Sequence, residues 1–235
     1  MVIGFSIGML GVGGVFLTPV LILTANLDIS SAMGTALPTF MGTGLLGSYI
    51  YHREGNIKWG YVVYLVPFSI LGSLIGSNLN LTIKRSTLEI ILGIFLIFMS
   101  ILIYINNNTT SLSFNKKNNF SPVFYMGIGL LTGFSAGLFG VGGPVLMVPV
   151  LNFLGWPLLY AVGVSQVVSF FAALFGSINY FINGKTVVSV AVFVLAAEMV
   201  GVWGGGKAAH RIDKKWLVVF LCLVLAVLGI YFMRS

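Results

Sequence analysis

"GFSAGLFGVGGPVLMVPVL", residues 133–151, holds five glycines and two prolines inside a strongly apolar stretch. Glycine costs backbone entropy and proline removes a donor, so both interrupt a helix. Residues 4–21 read "GFSIGMLGVGGVFLTPVL", and Gly4–Gly14 matches Gly133–Gly143 at eight of eleven positions. Pro144 is one inserted residue, after which Pro19-Val20-Leu21 meets Pro149-Val150-Leu151. The offset of 129 then resumes. It pairs Ala32 and Gly34 with Ala161 and Gly163, Gly47-Ser48 with Gly176-Ser177, Tyr51 and Gly55 with Tyr180 and Gly184, and Gly72 and Gly76 with Gly201 and Gly205. One register kept over such a length marks two homologous halves.

Composition sets the solvent. The 235 residues are 58% hydrophobic and only 7% charged, against about 25% charged in a soluble domain. Apolar segments fall at 3–24, 32–51, 59–80, 87–105, 123–154, 157–182, 186–206 and 216–233. Most have the roughly 20 residues a helix needs to cross about 30 Å of hydrocarbon. A membrane β-barrel would alternate polar and apolar positions in roughly 10-residue segments, and this chain does not. The sequence therefore predicts an all-α integral membrane protein. It has two homologous four-segment helical repeats, each opening with a Gly/Pro-broken helix. The first repeat covers 1–105, a polar linker 106–122, and the second repeat 123–235. The first segment lacks a basic flank and a cleavage site, and its duplication marks it as part of the fold rather than a signal peptide.

The net charge of +7 lies between apolar runs, which reads as membrane orientation and not as nucleic-acid binding. A lone Cys222 makes no disulfide within the chain. His52 and His210 are too isolated for a metal site, and no cofactor is expected. Neither glycine cluster is followed by the Lys-Ser/Thr of a nucleotide loop, and no nucleophile, base and acid converge, so an enzyme is not expected.

Breaks in matching positions of two halves are how transporters build a site near the midplane. Bare backbone in hydrocarbon costs several kcal/mol per unsatisfied group and is tolerated only where protein or a wet cavity receives it. Most of the 30 glycines, including Gly72-x-x-x-Gly76, read as close helix packing. The two G-V-G-G clusters read as breaks.

At these residues the sequence resembles the sulfite exporter TauE/SafE family, also called the 4-toluene sulfonate uptake permease family; Gly8-x-x-Gly11-x-Gly13-Gly14 with Pro19, and Gly137-x-x-Gly140-x-Gly142-Gly143 with Pro149, carry the likeness. Gly34-Thr35-Ala36-Leu37, Gly163-Val164-Ser165-Gln166 and the turn His52-Arg53-Glu54-Gly55 extend it over nearly the whole chain. Ala36 and Val164 stand where the family usually has serine and threonine, so each half keeps one hydroxyl, and Phe181 replaces His52 in the second half. The resemblance implies a permease for a small sulfur-containing anion, such as sulfite, sulfoacetate or another sulfonate, in a bacterial plasma membrane. A passive anion channel, or a carrier of a non-sulfur anion, is the alternative. The oligomeric state is left open by this reading, with a homodimer compatible.

Helix N-termini expose unpaired N–H groups, and glycine lets an anion approach them. The expected binding residues are therefore Gly11, Gly13, Gly14, Gly140, Gly142 and Gly143, with Thr35, Ser165 and Gln166 as side-chain donors. Dehydrating an anion costs several kcal/mol. A helix end returns about 0.3–2 and each hydrogen bond to a charged group about 1.5–3 kcal/mol. No Arg or Lys lies inside the breaks, so the site is expected to stay partly hydrated and bind weakly. Glu198, mid-segment, is a candidate for ion coupling; its repeat counterpart, Ser69, cannot titrate. Arg85 and Glu89 are spaced for an edge ion pair.

Topology follows from the basic residues. Residues 4–11 make a half-helix of about 12 Å, as a hairpin returning to its own side would need, although residues 123–139 reach about 26 Å. With hairpins, each half crosses three times and the halves are inverted. Arg53, Lys58, Lys116, Lys117, Lys207, Arg211, Lys214 and Lys215 then share one side, against Lys84, Arg85, Lys185 and Arg234 on the other. This eight-to-four split places the linker in the cytoplasm. Full crossings give parallel halves and an even split. The inverted arrangement is the expectation.

Overall fold

Pro38 has no N–H, and its ring cannot sit beside the carbonyl four residues back. The segment expected over 32–51 accordingly begins at Ile29 and is two helices, α2 (Ile29–Ala36) and α3 (Thr39–Arg53). The Gly34 carbonyl that Pro38 cannot bond accepts from the Thr186 hydroxyl at 3.0 Å, and the Thr39 hydroxyl donates to the Ala36 carbonyl at 2.8 Å. In the second half Val167 stands 129 residues after Pro38, and one unbroken helix runs over Leu158–Ile182.

The computed structural model describes residues 13–108, 121–208 and 214–234. Among them there are helices and no strands. A 3-10 turn, Gly13–Phe16, leads into α1 (Leu17–Ala25), and α2 and α3 follow. Next come α4 (Trp59–Thr82) and α5 (Arg85–Asn108). After the linker lie α6 (Pro122–Phe139), α7 (Pro144–Phe153), α8 (Leu158–Ile182), α9 (Val188–Ala208) and α10 (Lys214–Arg234). Stretches in α4, α5, α6 and α8 are long and apolar enough to cross a membrane. The chain is an all-helical, multi-pass membrane protein. α2, α4 and α5 begin at Ile29, Trp59 and Arg85, and α8, α9 and α10 begin 129 residues after each, at Leu158, Val188 and Lys214.

Small residues set the packing. A Cβ on Gly129, Gly133 or Gly137 would strike the backbone of Leu65, Ser69 or Ser73, and one on Gly72 or Gly76 would strike that of Leu130 or Phe134. Backbones this close are the membrane mode of helix association, where tight van der Waals contact replaces the hydrophobic drive. The paired numbers rise together, so α4 and α6 run parallel. The Ser73 hydroxyl donates to the Ala172 carbonyl at 2.7 Å and Asn179 donates to the Ser77 hydroxyl at 2.9 Å, so α8 runs parallel to them too.

Other pairs run oppositely. Gly34 lies against Tyr180, Gly44 and Gly47 against Gln166, and Gly163 against Tyr51, so α2 and α3 are antiparallel to α8. Gly93 packs on Gly229 while the Ser100 hydroxyl donates to the Cys222 carbonyl at 2.8 Å. α5 and α10 are therefore antiparallel. Under the 129-residue offset each of these pairs is made of equivalent segments.

One end of the molecule gathers the starts of α4, α6 and α8. Tyr61 meets Tyr125 and Trp156 with ring centroids 4.7 and 4.8 Å apart. The Lys58 ammonium lies 4.9 Å from the centroids of Trp156 and Tyr160. The chain therefore enters at Pro122 and is back at the same end by Trp156: α6 and α7 form a hairpin. α6 is a deep arm, reaching Asn80 near the far end of α4, and α7 is the shorter return. Apolar side chains such as Val63, Ile75, Phe98 and Phe193 point outward, as a lipid-facing surface requires.

Candidate functional site

A helix that stops inside a membrane leaves its last four carbonyls without partners. α6 stops at Phe139, and the chain turns at Gly140 with φ 61°, a left-handed conformation natural to glycine. A side chain there would also strike the Met33 backbone. The carbonyls around the stop are caught one by one. The Tyr180 hydroxyl donates to Gly137 at 2.7 Å and the Asn80 amide to Leu138 at 2.8 Å. The Thr18 hydroxyl lies 2.9 Å from the Phe139 oxygen and 3.2 Å from the Gly140 oxygen. These donors come from α8, α4 and α1, so the break is sustained by the rest of the fold.

The other side of the break opens α7. Pro144 occupies the first helical position, where a missing N–H costs nothing. The Gly143 N–H donates to the Ser169 hydroxyl at 3.1 Å. Val145 and Met147 donate to the Gly142 and Gly143 carbonyls at 3.1 and 3.2 Å. The amide an anion would seek at Gly143 is thus already held by a hydroxyl that can be displaced.

The two glycine clusters meet. A Cβ on Gly14 would lie 3.7 Å from the Gly142 nitrogen. The ring of Phe40, 3% exposed, lies against both. Its edge would be 2.7 Å from a Cβ on Gly14 and 2.9 Å from one on Gly142. Phe40 and Ser169 are equivalents under the 129-residue offset. Of these two positions, one presents a ring to the glycine turns and the other a hydroxyl. Ser169 is the twelfth of the 25 residues of α8, which puts the meeting point at mid-depth.

Of the residues expected from the sequence, Gly14, Gly140, Gly142 and Gly143 come together. Gly13 opens the 3-10 turn, and Gly11 lies outside the described residues. Thr35 is fully buried, and its hydroxyl oxygen accepts the Val187 N–H at 3.0 Å, capping the start of α9. The Ser165 hydroxyl donates to Val162 of its own helix at 2.8 Å; it lies one turn, about 6 Å, before Ser169. Gln166 packs over Gly47. Ser165 and Gln166 share α8 with the meeting point and Thr35 lies on α2, but all three spend their contacts elsewhere. Glu198 is the eleventh of the 21 residues of α9 and is 2% exposed.

Sequence reading missed Phe40, Ser169, Thr18, Asn80 and Tyr180. The available signal was polarity inside apolar runs, at Thr18 beside Pro19 and at Asn80. Phe40 carried none, since an aromatic in such a run reads as lipid-facing or core.

At the end opposite the Lys58 cluster, Asp28 and Lys185 pair at 3.3 Å. Partial burial alone would raise the Asp28 carboxyl, but hydrogen bonds from Ser31 and Lys185, with the Lys185 charge, hold it below the usual carboxylate range. Arg85 Nε meets Glu89 at 2.8 Å, the edge pair that the spacing expects. Among the described residues no cluster of His, Cys, Asp and Glu could hold a metal.

A family model described as Sulfite exporter TauE/SafE matches residues 1–232. The chain is 27% identical over 234 residues to "Probable membrane transporter protein YdhB" of Bacillus subtilis (strain 168), covering 97% of this chain and 95% of that protein. It is 27% identical over 251 residues to "Probable membrane transporter protein YunE" of the same organism, covering 94% and 90%. It is 25% identical over 255 residues to "Probable membrane transporter protein MJ0441" of Methanocaldococcus jannaschii, covering 98% and 92%. No solved structure matches the chain.

Proposed function

The chain belongs to the sulfite exporter TauE/SafE family of membrane transporters, and on that premise we propose that it is a plasma-membrane permease for a small sulfur-containing anion, such as sulfite, sulfoacetate or another sulfonate. The observation that carries the reading is the meeting of the two glycine turns at mid-depth, Gly14 from one half and Gly142 from the other. Phe40 lies against both and Ser169 holds the Gly143 amide. An anion binds there when the ring turns aside, the Gly143 N–H leaves the Ser169 oxygen and the hydroxyl proton points to the ligand. With Gly143 and Ser169 as donors, at about 1.5–3 kcal/mol each, and a helix end adding about 0.3–2, the gain roughly offsets dehydration. Binding is weak and release is fast, as turnover requires.

The halves are inverted-topology repeats. The antiparallel pairing of α5 with α10, and of α2 and α3 with α8, supports this, as does the hairpin of α6 and α7. Rocking of one half against the other about the glycine turns opens the site to each side in turn. The end bearing Arg53 and Lys58 is cytoplasmic by its share of the basic residues.

The test is uptake of labelled sulfite, sulfoacetate and sulfate into proteoliposomes, with saturation and counterflow read together. Saturable counterflow of a sulfur anion is the expected result. Flux that rises linearly without counterflow would mark a channel, and transport of other small anions alone would mark a non-sulfur carrier.

A further inference from the structure

Glu198 occupies the middle of α9, and neither of its carboxylate oxygens has a hydrogen-bond partner among the described residues. α9 packs against α2 and α3. From α3, Thr39 stands beside the carboxylate, but its proton goes to the Ala36 carbonyl at 2.8 Å. With its proton engaged at Ala36, the hydroxyl oxygen is open to accept. Among the described residues no cation reaches Glu198 from the packed helices. The titratable and charged groups of α3, Tyr49, Tyr51, His52 and Arg53, begin ten residues after Thr39, about 15 Å along the helix. α2 has none, and Asp28 before it pairs with Lys185. On α9 itself Lys207 is nine residues away.

A carboxylate without partners in a membrane interior carries a heavy desolvation penalty. The neutral acid removes that penalty and can donate to the Thr39 oxygen. We infer that Glu198 is a proton-binding site, and that the proton it takes up and releases drives the anion transport proposed above. The step is the binding of one proton to one carboxylate oxygen, with no other bond changed. The route to the anion is short, because Thr39 is followed by Phe40, whose ring lies against both glycine turns. Protonation that draws Thr39 toward Glu198 shifts the first turn of α3 and the ring with it. The equivalent position in the first half is Ser69, which is fully buried and donates to Val66 at 2.8 Å. Only one half carries an acid here, so one proton moves per cycle.

The proton site rests on the transport reading only for its consequence, and the experiment separates the two. The full chain is reconstituted and given labelled methanesulfonate, a monoanion, under a gradient of one pH unit, with a pH dye inside the vesicles. Infrared difference spectra of the same protein follow the carbonyl stretch of a protonated carboxyl across pH. Wild-type protein is expected to accumulate the anion up to about tenfold, the equilibrium for one proton per anion and one pH unit, with matching proton movement. Glu198→Gln is expected to exchange anion for anion, to accumulate none, to move no protons and to lose the infrared band. Glu198→Asp, which keeps the acid, is expected to shift the band and retain accumulation. Accumulation by Glu198→Gln at the wild-type level overturns the inference. So does a wild-type spectrum without a protonated-carboxyl band that Glu198→Asp shifts, a readout that stands even if the Gln variant does not fold. If the band is present but no sulfur anion is transported, the substrate reading fails and the proton site stands.

Discussion

Thr18→Val removes one hydroxyl at nearly constant volume, and the structure sets its cost. That hydroxyl lies 2.9 Å from the Phe139 carbonyl and 3.2 Å from the Gly140 carbonyl, in a fully buried position. No water reaches the site to replace it, so an acceptor at the end of α6 is left bare. An unsatisfied buried acceptor costs about 1–3 kcal/mol, and the methyl that takes the hydroxyl's place returns little because the site is already packed. The expected destabilisation is about 1–3 kcal/mol. It is read as a shift in the denaturant midpoint of the detergent-solubilised protein. Thr18→Ser keeps the donor and should lose less. Thr24→Val is the control: its hydroxyl bonds Val20 one turn back on an exposed surface, and its removal should be close to neutral. If Thr18→Val unfolds with the wild-type midpoint, the break in α6 is not sustained by its caps and the reasoning fails.

Three further outcomes follow from the packing and topology. Gly142→Ala places a methyl 2.9 Å from the Phe40 ring and should destabilise by about 1–3 kcal/mol; adding Phe40→Leu should return part of that loss, with a coupling of about 0.5–3 kcal/mol in a double-mutant cycle of unfolding midpoints, and strict additivity would deny the contact. Gly76→Ala drives a methyl into the Phe134 backbone and should lower the thermal midpoint through the α4–α6 seam, whereas Gly127→Ala, with open space around it, should leave it unchanged. In a Cys222→Ser background, single cysteines at Lys58 and Asn183 should react with an impermeant thiol reagent from opposite faces, the Lys58 site from the cytoplasm; labelling of both from one face would contradict inverted halves.

How far the sequence reached depends on what kind of physics placed each residue. The break at Gly140–Gly143 was legible because glycine and proline act on their own backbone. The seam at Gly72 and Gly76 was legible because small residues at helical spacing have few other uses. Pro38 carried the same kind of signal, yet its segment read as one helix, because a single proline is compatible with a kink as well as a break. The length of α6 argued against a hairpin from sequence alone. Only the gathering of Lys58, Tyr61, Tyr125 and Trp156 at one end shows that a long arm can return by a shorter one. The caps on α6 showed only as polar residues in apolar runs: Thr18, Asn80 and Tyr180 lie in three separate helices, and nothing local ties them to residue 139. Phe40 escaped for the same reason. Its place against both glycine turns is a product of tertiary packing, not of any pattern around it.

The central claim is that a sulfur-containing anion binds against the two glycine turns, where Phe40 now stands. The most direct measurement introduces a single thiol by Phe40→Cys in the Cys222→Ser background and follows its rate of alkylation in the purified protein. Methanesulfonate and sulfoacetate should slow the reaction in a saturable way, and chloride at equal ionic strength should not. Alkylation that proceeds at one rate with and without the sulfonates, in protein that still transports them, would place the anion elsewhere.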